Sequence, residues 1–162
     1  DPQICRIAPI ERTLAMEIER KYLVSKVPGH LEQFPCRSIA QGYLNTNPVV
    51  RIRQDNDKYE LTYKSKGFMA RQEYNLPLNR EAYEHLLTKI DGRLIRKKRY
   101  MIPLPHNLTA ELDIFEGDLA PLMLAEVEFA SEDDANSFVP PSWFGEDVTF
   151  SGKYHNSTLS LI

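Results

Sequence analysis

Apolar and polar residues alternate with a period of two along most of this chain. A strand sends i, i+2 and i+4 to one face. In Met16-Glu17-Ile18-Glu19-Arg20-Lys21-Tyr22-Leu23-Val24, that rule puts Glu17, Glu19 and Lys21 on one side and Ile18, Tyr22 and Val24 on the other. Further alternating segments run over 38–44, 49–54, 58–65, 70–76, 94–102, 109–115 and 122–130. Asp55-Asn56-Asp57 joins two of them as a hairpin with a short polar loop. The period changes over 79–90, where Tyr83, Leu86, Leu87 and Ile90 fall on one helical face, with Asn79 as cap and Gly92 beyond the end. Ser131 caps a second short helix over 132–138, ended by Pro140-Pro141, and the tail from 152 reads as a final short helical segment. The pattern predicts an α+β chain, mainly antiparallel β. About eight strands form a meander long enough to make a closed or incomplete barrel, with a few flanking helices.

The composition changes this picture little. The 162 residues are 42% hydrophobic and 27% charged, with a net charge of −3, which is ordinary globular chemistry and no argument for nucleic acid or a membrane surface. No apolar run is long enough to span a bilayer. Two cysteines, Cys5 and Cys36, without a C-x-x-C motif, fit reduced thiols in a cytoplasmic protein better than a disulfide framework or a zinc site. Residues 1–15 are expected to be a flexible or appended leader, and residues 16–162 a single domain.

The distribution of charge changes more. Paired charges at i, i+2 recur on successive strands: Arg51 and Arg53, Glu60 with Lys64 and Lys66, Arg71 and Glu73, Lys97 and Arg99, Glu111 and Asp113, Glu126 and Glu128. The opposite faces are apolar. Either the apolar faces build the core and the charges meet water, or the charges line a barrel whose outside is covered by helices or a second subunit. Chemistry favours the lumen. Carboxylates hold a hard divalent cation and the basic residues hold phosphates, so a polyphosphate with its metal needs both side by side.

Other features carry less. The run 93–99 splits its charges between two strand faces, which argues against a nucleic-acid patch. His30, His85, His106 and His155 show no ligand spacing and read as surface or loop residues. Trp143 and Phe144 read as packing anchors.

The ordered set of these motifs resembles the CYTH superfamily, the triphosphate tunnel metalloenzymes. The resemblance starts at Glu17-Ile18-Glu19-Arg20-Lys21 and continues through Gln41-Gly42-Tyr43-Leu44, Arg51-Ile52-Arg53, Leu61-Thr62-Tyr63-Lys64 and Arg71-Gln72-Glu73-Tyr74. It goes on through Lys97-Lys98-Arg99-Tyr100, Glu111-Leu112-Asp113 and Glu126-Val127-Glu128-Phe129 to Pro140-Pro141-Ser142-Trp143-Phe144-Gly145 and Tyr154-His155-Asn156. It is strongest toward the short bacterial members similar to inorganic tripolyphosphatases.

The resemblance implies an eight-stranded barrel with a charged lumen, and Mg²⁺ or Mn²⁺ on Glu17, Glu19 and Glu128, with Glu111, Asp113 and Glu126 nearby. It implies phosphate contacts from Arg51, Arg53, Lys64, Arg71, Arg99 and Lys153. Lys21 and Lys97 match a lysine pair credited with orienting or activating water, and metal-bound hydroxide is the competing source of nucleophile. The implied reaction is hydrolysis of tripolyphosphate to diphosphate and phosphate. A class IV adenylate cyclase, a nucleoside or thiamine triphosphatase and a non-catalytic binder of polyphosphate or nucleotide are the alternatives, and a homodimer is left open. Phe150-Ser151-Gly152-Lys153 departs from the charged cluster the family carries there.

Overall fold

The computed structural model describes residues 15–162, so the leader expected over 1–15 lies outside the described residues, except for Ala15. Eight strands close into one barrel: β1 (Ala15–Leu23), β2 (Cys36–Thr46), β3 (Val49–Asp55), β4 (Lys58–Lys64), β5 (Ala70–Leu78), β6 (Asp91–Leu104), β7 (Leu108–Phe115) and β8 (Met123–Glu128). Three short helices flank it: α1 (Arg80–Leu87), α2 (Glu132–Ser137) and α3 (Asn156–Leu159). The expected caps form, with Asn79 Oδ1 accepting from the Ala82 amide at 2.7 Å and Ser131 Oγ from the Asp134 amide at 3.1 Å. No helix of the described residues is long and apolar enough to cross a membrane.

The order around the barrel corrects the simple meander. It runs β1-β5-β4-β3-β2-β6-β7-β8, all neighbours antiparallel. β1 does not pair with β2. It bridges β5 and β8, while β2 pairs with β6. Local hairpins such as β3–β4 are set by their turns, here Asn56-Asp57 with Asn56 at φ 52°, a conformation Asn tolerates. The closing pairs are long-range and follow no turn.

The barrel is turned so that its charged faces point inward. Outside, Ile18, Tyr22, Leu112, Ala125, Val127 and Phe129 form one buried cluster, covered by α2 and the segment carrying Phe138, Trp143 and Phe144. Phe144 packs against Tyr22 with tilted rings at 4.9 Å between centroids and meets Trp143 edge-on at 4.6 Å, the packing role expected of it. α1 covers β3 and β4, with Tyr83 against Tyr59 at 5.1 Å and its hydroxyl donating to the Ala40 carbonyl at 3.3 Å.

A second cluster lies inside. Tyr43, Val49, Ile95, Phe115 and Leu124 share strand parity with the charged residues but stand two positions nearer one end, where Val148 and Leu159 of the tail meet them. The lumen is therefore charged through its middle and closed by an apolar floor. The tail is seated there by the Arg93 amide donating to the Ser160 carbonyl at 2.7 Å.

Candidate active site

The charged part of the lumen is a cavity of about 380 Å³. Of the residues expected at a site, it brings together Glu17, Glu19, Lys21, Arg51, Arg53, Lys64, Arg71, Lys97, Arg99, Glu111, Glu126 and Glu128. Register explains the grouping. Glu19 lies opposite Glu128, Lys21 opposite Glu126, and Glu111 opposite Glu126, so β1, β8 and β7 build one acidic wall. β3, β4 and β6 supply most of the cations.

Two expected residues are placed elsewhere. Asp113 is fully buried behind the wall and receives Arg99 through both oxygens, at 2.7 and 2.9 Å, and Lys97 at 2.6 Å. Lys153 is exposed, lies over the Tyr154 ring and does not line the cavity.

Cations and carboxylates interlock. Lys64 reaches Glu17 at 2.8 Å, Lys21 reaches Glu126 at 3.3 Å, and Arg99 reaches Glu111 at 2.6 Å. Arg51 donates to Thr62 Oγ1 at 3.0 Å, while its Nε is buried without a partner among the described residues. Arg53 donates to Gln41 Oε1 at 2.8 Å. Burial, with Arg51 and Arg99 beside it, brings Arg53 down to about 9, so it stays charged at neutral pH and is under-compensated. An orphaned guanidinium nitrogen beside an under-compensated one is the chemistry of an anion site.

The acidic wall fits a hard cation. Burial and the neighbouring Glu126 and Glu17 push Glu19 up to about 8. Burial and Glu17 also raise Glu128, and burial raises Glu17 even though Lys64 works against it. Crowded carboxylates of this kind are relieved by a divalent ion, and an all-oxygen donor set suits Mg²⁺ or Mn²⁺. Among the described residues, no three such groups already converge on one point.

The two lysines differ. Burial works to lower Lys21, but Glu126 and Glu19 outweigh it and raise its pKa. For Lys97 burial prevails, helped by Arg99 and Arg53, and brings the ammonium down to about 7 despite Asp113. Lys21 is a fixed positive charge, whereas Lys97 can shed a proton near neutral pH.

Sequence reasoning missed the contribution of the tail. Lys21 Nζ donates to the Tyr154 carbonyl at 3.2 Å, and Asn156 Oδ1 accepts from Lys97 Nζ at 3.1 Å and Gln41 Nε2 at 3.0 Å. His155, read as a surface or loop residue, is corrected to a lumen residue, with Nδ1 2.8 Å from Arg71 Nη2. Tyr43, Asn75 and Ser157 also line the cavity. The one available signal was the cluster Tyr154-His155-Asn156 itself, since a tail without periodicity predicts no face.

Comparison with known proteins agrees with this architecture. The sequence profile of the CYTH domain matches residues 15–162. An inorganic triphosphatase of Nitrosomonas europaea is 46% identical over 149 residues, covering 90% of this chain and 97% of that protein. One from Acetivibrio thermocellus is 34% identical over 153 residues, covering 90% and 94%. A crystal structure of an inorganic triphosphatase superposes with a TM-score of 0.68 at 42% identity, covering 90% of this chain and 95% of that one.

Proposed function

The chain belongs to the CYTH domain family, and from that premise we propose that it hydrolyses inorganic tripolyphosphate to diphosphate and phosphate with Mg²⁺ or Mn²⁺. The observation that carries this reading is the two-sign lumen, with cations and crowded carboxylates facing one cavity of about 380 Å³ and a near-neutral Lys97 among them. Two triphosphatase relatives, each matched over most of both chains, support the same substrate class.

In this reading Arg51, Arg53, Lys64 and Arg99 bind the phosphate oxygens, and Arg71 extends the cationic wall. Glu17, Glu19 and Glu128 would hold the cation, with Glu111 and Glu126 in support, and a cation bound there would supply charge neutralisation and polarisation of the phosphoryl group. Lys97 takes a proton from the attacking water. Lys21 stays charged and stabilises negative charge as the P–O bond to diphosphate breaks. Asp113 orients Lys97 and Arg99 from behind the wall. The tail fixes both ammonium groups through Tyr154 and Asn156.

Phosphate release from tripolyphosphate, ATP, GTP and thiamine triphosphate, each with Mg²⁺, Mn²⁺ or a chelator, tests the proposal. The expected result is metal-dependent release with tripolyphosphate preferred. A preference for an organic triphosphate would move the reading to a nucleoside or thiamine triphosphatase, and release without metal would overturn the role of the carboxylates.

A further inference from the structure

Several polar side chains of the lumen, Glu73, Asn75 and His155 among them, have no role in the scheme above, and His155 is the one that joins two cavities. His155 lies half-buried at the joint between the charged cavity and a second cavity of about 470 Å³ outside the tail, and it lines both, as does Arg71. The second cavity is lined by Lys66, Phe68, Arg71 and neutral residues, with no carboxylate. The imidazole is fixed on two sides. Phe68 packs against it at 5.6 Å between ring centroids, and Arg71 Nη2 lies 2.8 Å from Nδ1.

A guanidinium has donors only, so Nδ1 must accept. A neutral imidazole with Nδ1 accepting carries its hydrogen on Nε2. Burial, with Lys21, Arg71 and Lys64 nearby, holds the ring down to about 4, so it is neutral at neutral pH. The geometry thus sets the tautomer through a partner that also faces the substrate cavity.

We propose that His155 is a substrate-binding residue: with Nδ1 held by Arg71, its Nε2–H donates a hydrogen bond to a phosphate oxygen of the triphosphate. This rests on the triphosphatase reading above and adds to it a donor that is neutral. In a lumen already crowded with cations, a neutral donor binds phosphate without further repelling Arg71, Lys21 and Lys64. Arg71 Nε donates to the Gly67 carbonyl at 2.8 Å and Nη2 faces His155, so the unit offers a phosphate group the remaining charged N–H groups of the guanidinium and one uncharged N–H.

Two amide substitutions separate this role from mere support of Arg71. The amide of Asn stands near Nδ1 and can accept from Arg71, but it offers no donor at Nε2. The amide of Gln stands near Nε2 and can donate there, but it loses the Arg71 acceptor. We expect His155→Asn to raise the KM for tripolyphosphate about tenfold, as loss of one hydrogen bond to a charged group does, with kcat within about twofold. His155→Gln should restore KM to within about threefold of wild type. The opposite ranking, with Asn restoring and Gln failing, would make His155 a support for Arg71 and overturn the proposal.

Long-range ¹H–¹⁵N NMR of the histidine rings in the intact chain gives a readout apart from activity. The Nε2–H tautomer is expected at pH 7, with its resonance moving on addition of tripolyphosphate and Mg²⁺. An Nδ1–H tautomer in the free chain, or an unmoved Nε2 signal in a chain that binds tripolyphosphate, would overturn the proposal. Failure of the triphosphatase reading shows separately, as a wild type that turns over no tripolyphosphate.

Discussion

The middle and the floor of the lumen are built from the same strands with the same inward parity, yet their chemistry is opposite. On β6, Ile95 faces the floor, and Lys97 and Arg99 face the cavity. On β8, Leu124 lies in the floor while Glu126 and Glu128 lie in the wall. The floor is ordinary core, where burial of apolar surface stabilises the fold. The middle buries charge, which costs free energy unless each charge is paired, and Glu19, Arg53 and Lys97 are displaced from their usual ranges by that burial. The contrast teaches that the floor stabilises the barrel, while the middle holds charges strained in the free chain and matched to a charged ligand.

The sharpest test of that division removes the near-neutral lysine. Lys97→Met is expected to lower kcat about 10³-fold, on the order of 4 kcal/mol of barrier, while circular dichroism shows the barrel retained. In the wild type, kcat/KM should rise with pH through about 7, because a base acts deprotonated and Lys97 loses its proton there. A flat pH profile across that range would remove Lys97 from the role of base.

The converse test strikes the floor. Leu124 is fully buried, and Leu124→Ala is expected to cost about 3 kcal/mol of stability in denaturant unfolding. Its kcat/KM should stay within about tenfold of wild type. An activity loss as large as that of Lys97→Met would erase the distinction between the two regions.

Glu19→Gln should lower activity about 10²-fold, on the order of 2.7 kcal/mol, and it should not destabilise the metal-free chain. The sign follows from its pKa. Glu19 is raised from 4.5 to about 8 on folding, so its contribution to stability is fully present below about 4.5 and is lost as pH rises through about 8. Thermal melts of the metal-free wild type should fall over that window. Gln, which stays neutral, should remove the Glu19 part of the fall, and Mg²⁺ should offset it. An identical pH slope in the variant would exclude Glu19 as its source.

The smallest effect is at the tail. Gly92 has φ 67°, and a Cβ there would run into the Ser160 carbonyl, so Gly92→Ala is expected to cost about 1–2 kcal/mol. The amide of Arg93 should then exchange with deuterium faster. Unchanged exchange would mean the tail keeps its seat.

Much of this organisation was legible in the sequence for a specific reason. Strand parity is local, so Glu17, Glu19, Arg51, Arg53, Lys97 and Arg99 could be assigned a common face without knowing any partner strand. Pairing order was not legible, because the β1–β5, β1–β8 and β2–β6 contacts depend on chain closure and not on turns. Depth was not legible either. Glu111 and Asp113 share parity, yet only Glu111 reaches the cavity, since Asp113 lies behind Arg99. Lys153 and His155 stand two residues apart in an aperiodic tail, and the local backbone, not any pattern of residue types, puts the histidine inside and leaves the lysine outside.

The position of β1 between β5 and β8 also bears on how the protein comes to exist. The strand carrying Glu17, Glu19 and Lys21 is the first described element of the chain, yet one of its two neighbours is the last strand. During synthesis, the β2–β5 hairpins can form from nearby residues, while β1 must wait for more than a hundred residues before β8 is available. The acidic wall is therefore complete only once β8 has docked on β1, and a nascent chain lacking β8 leaves Glu19 and Lys21 on an open sheet edge.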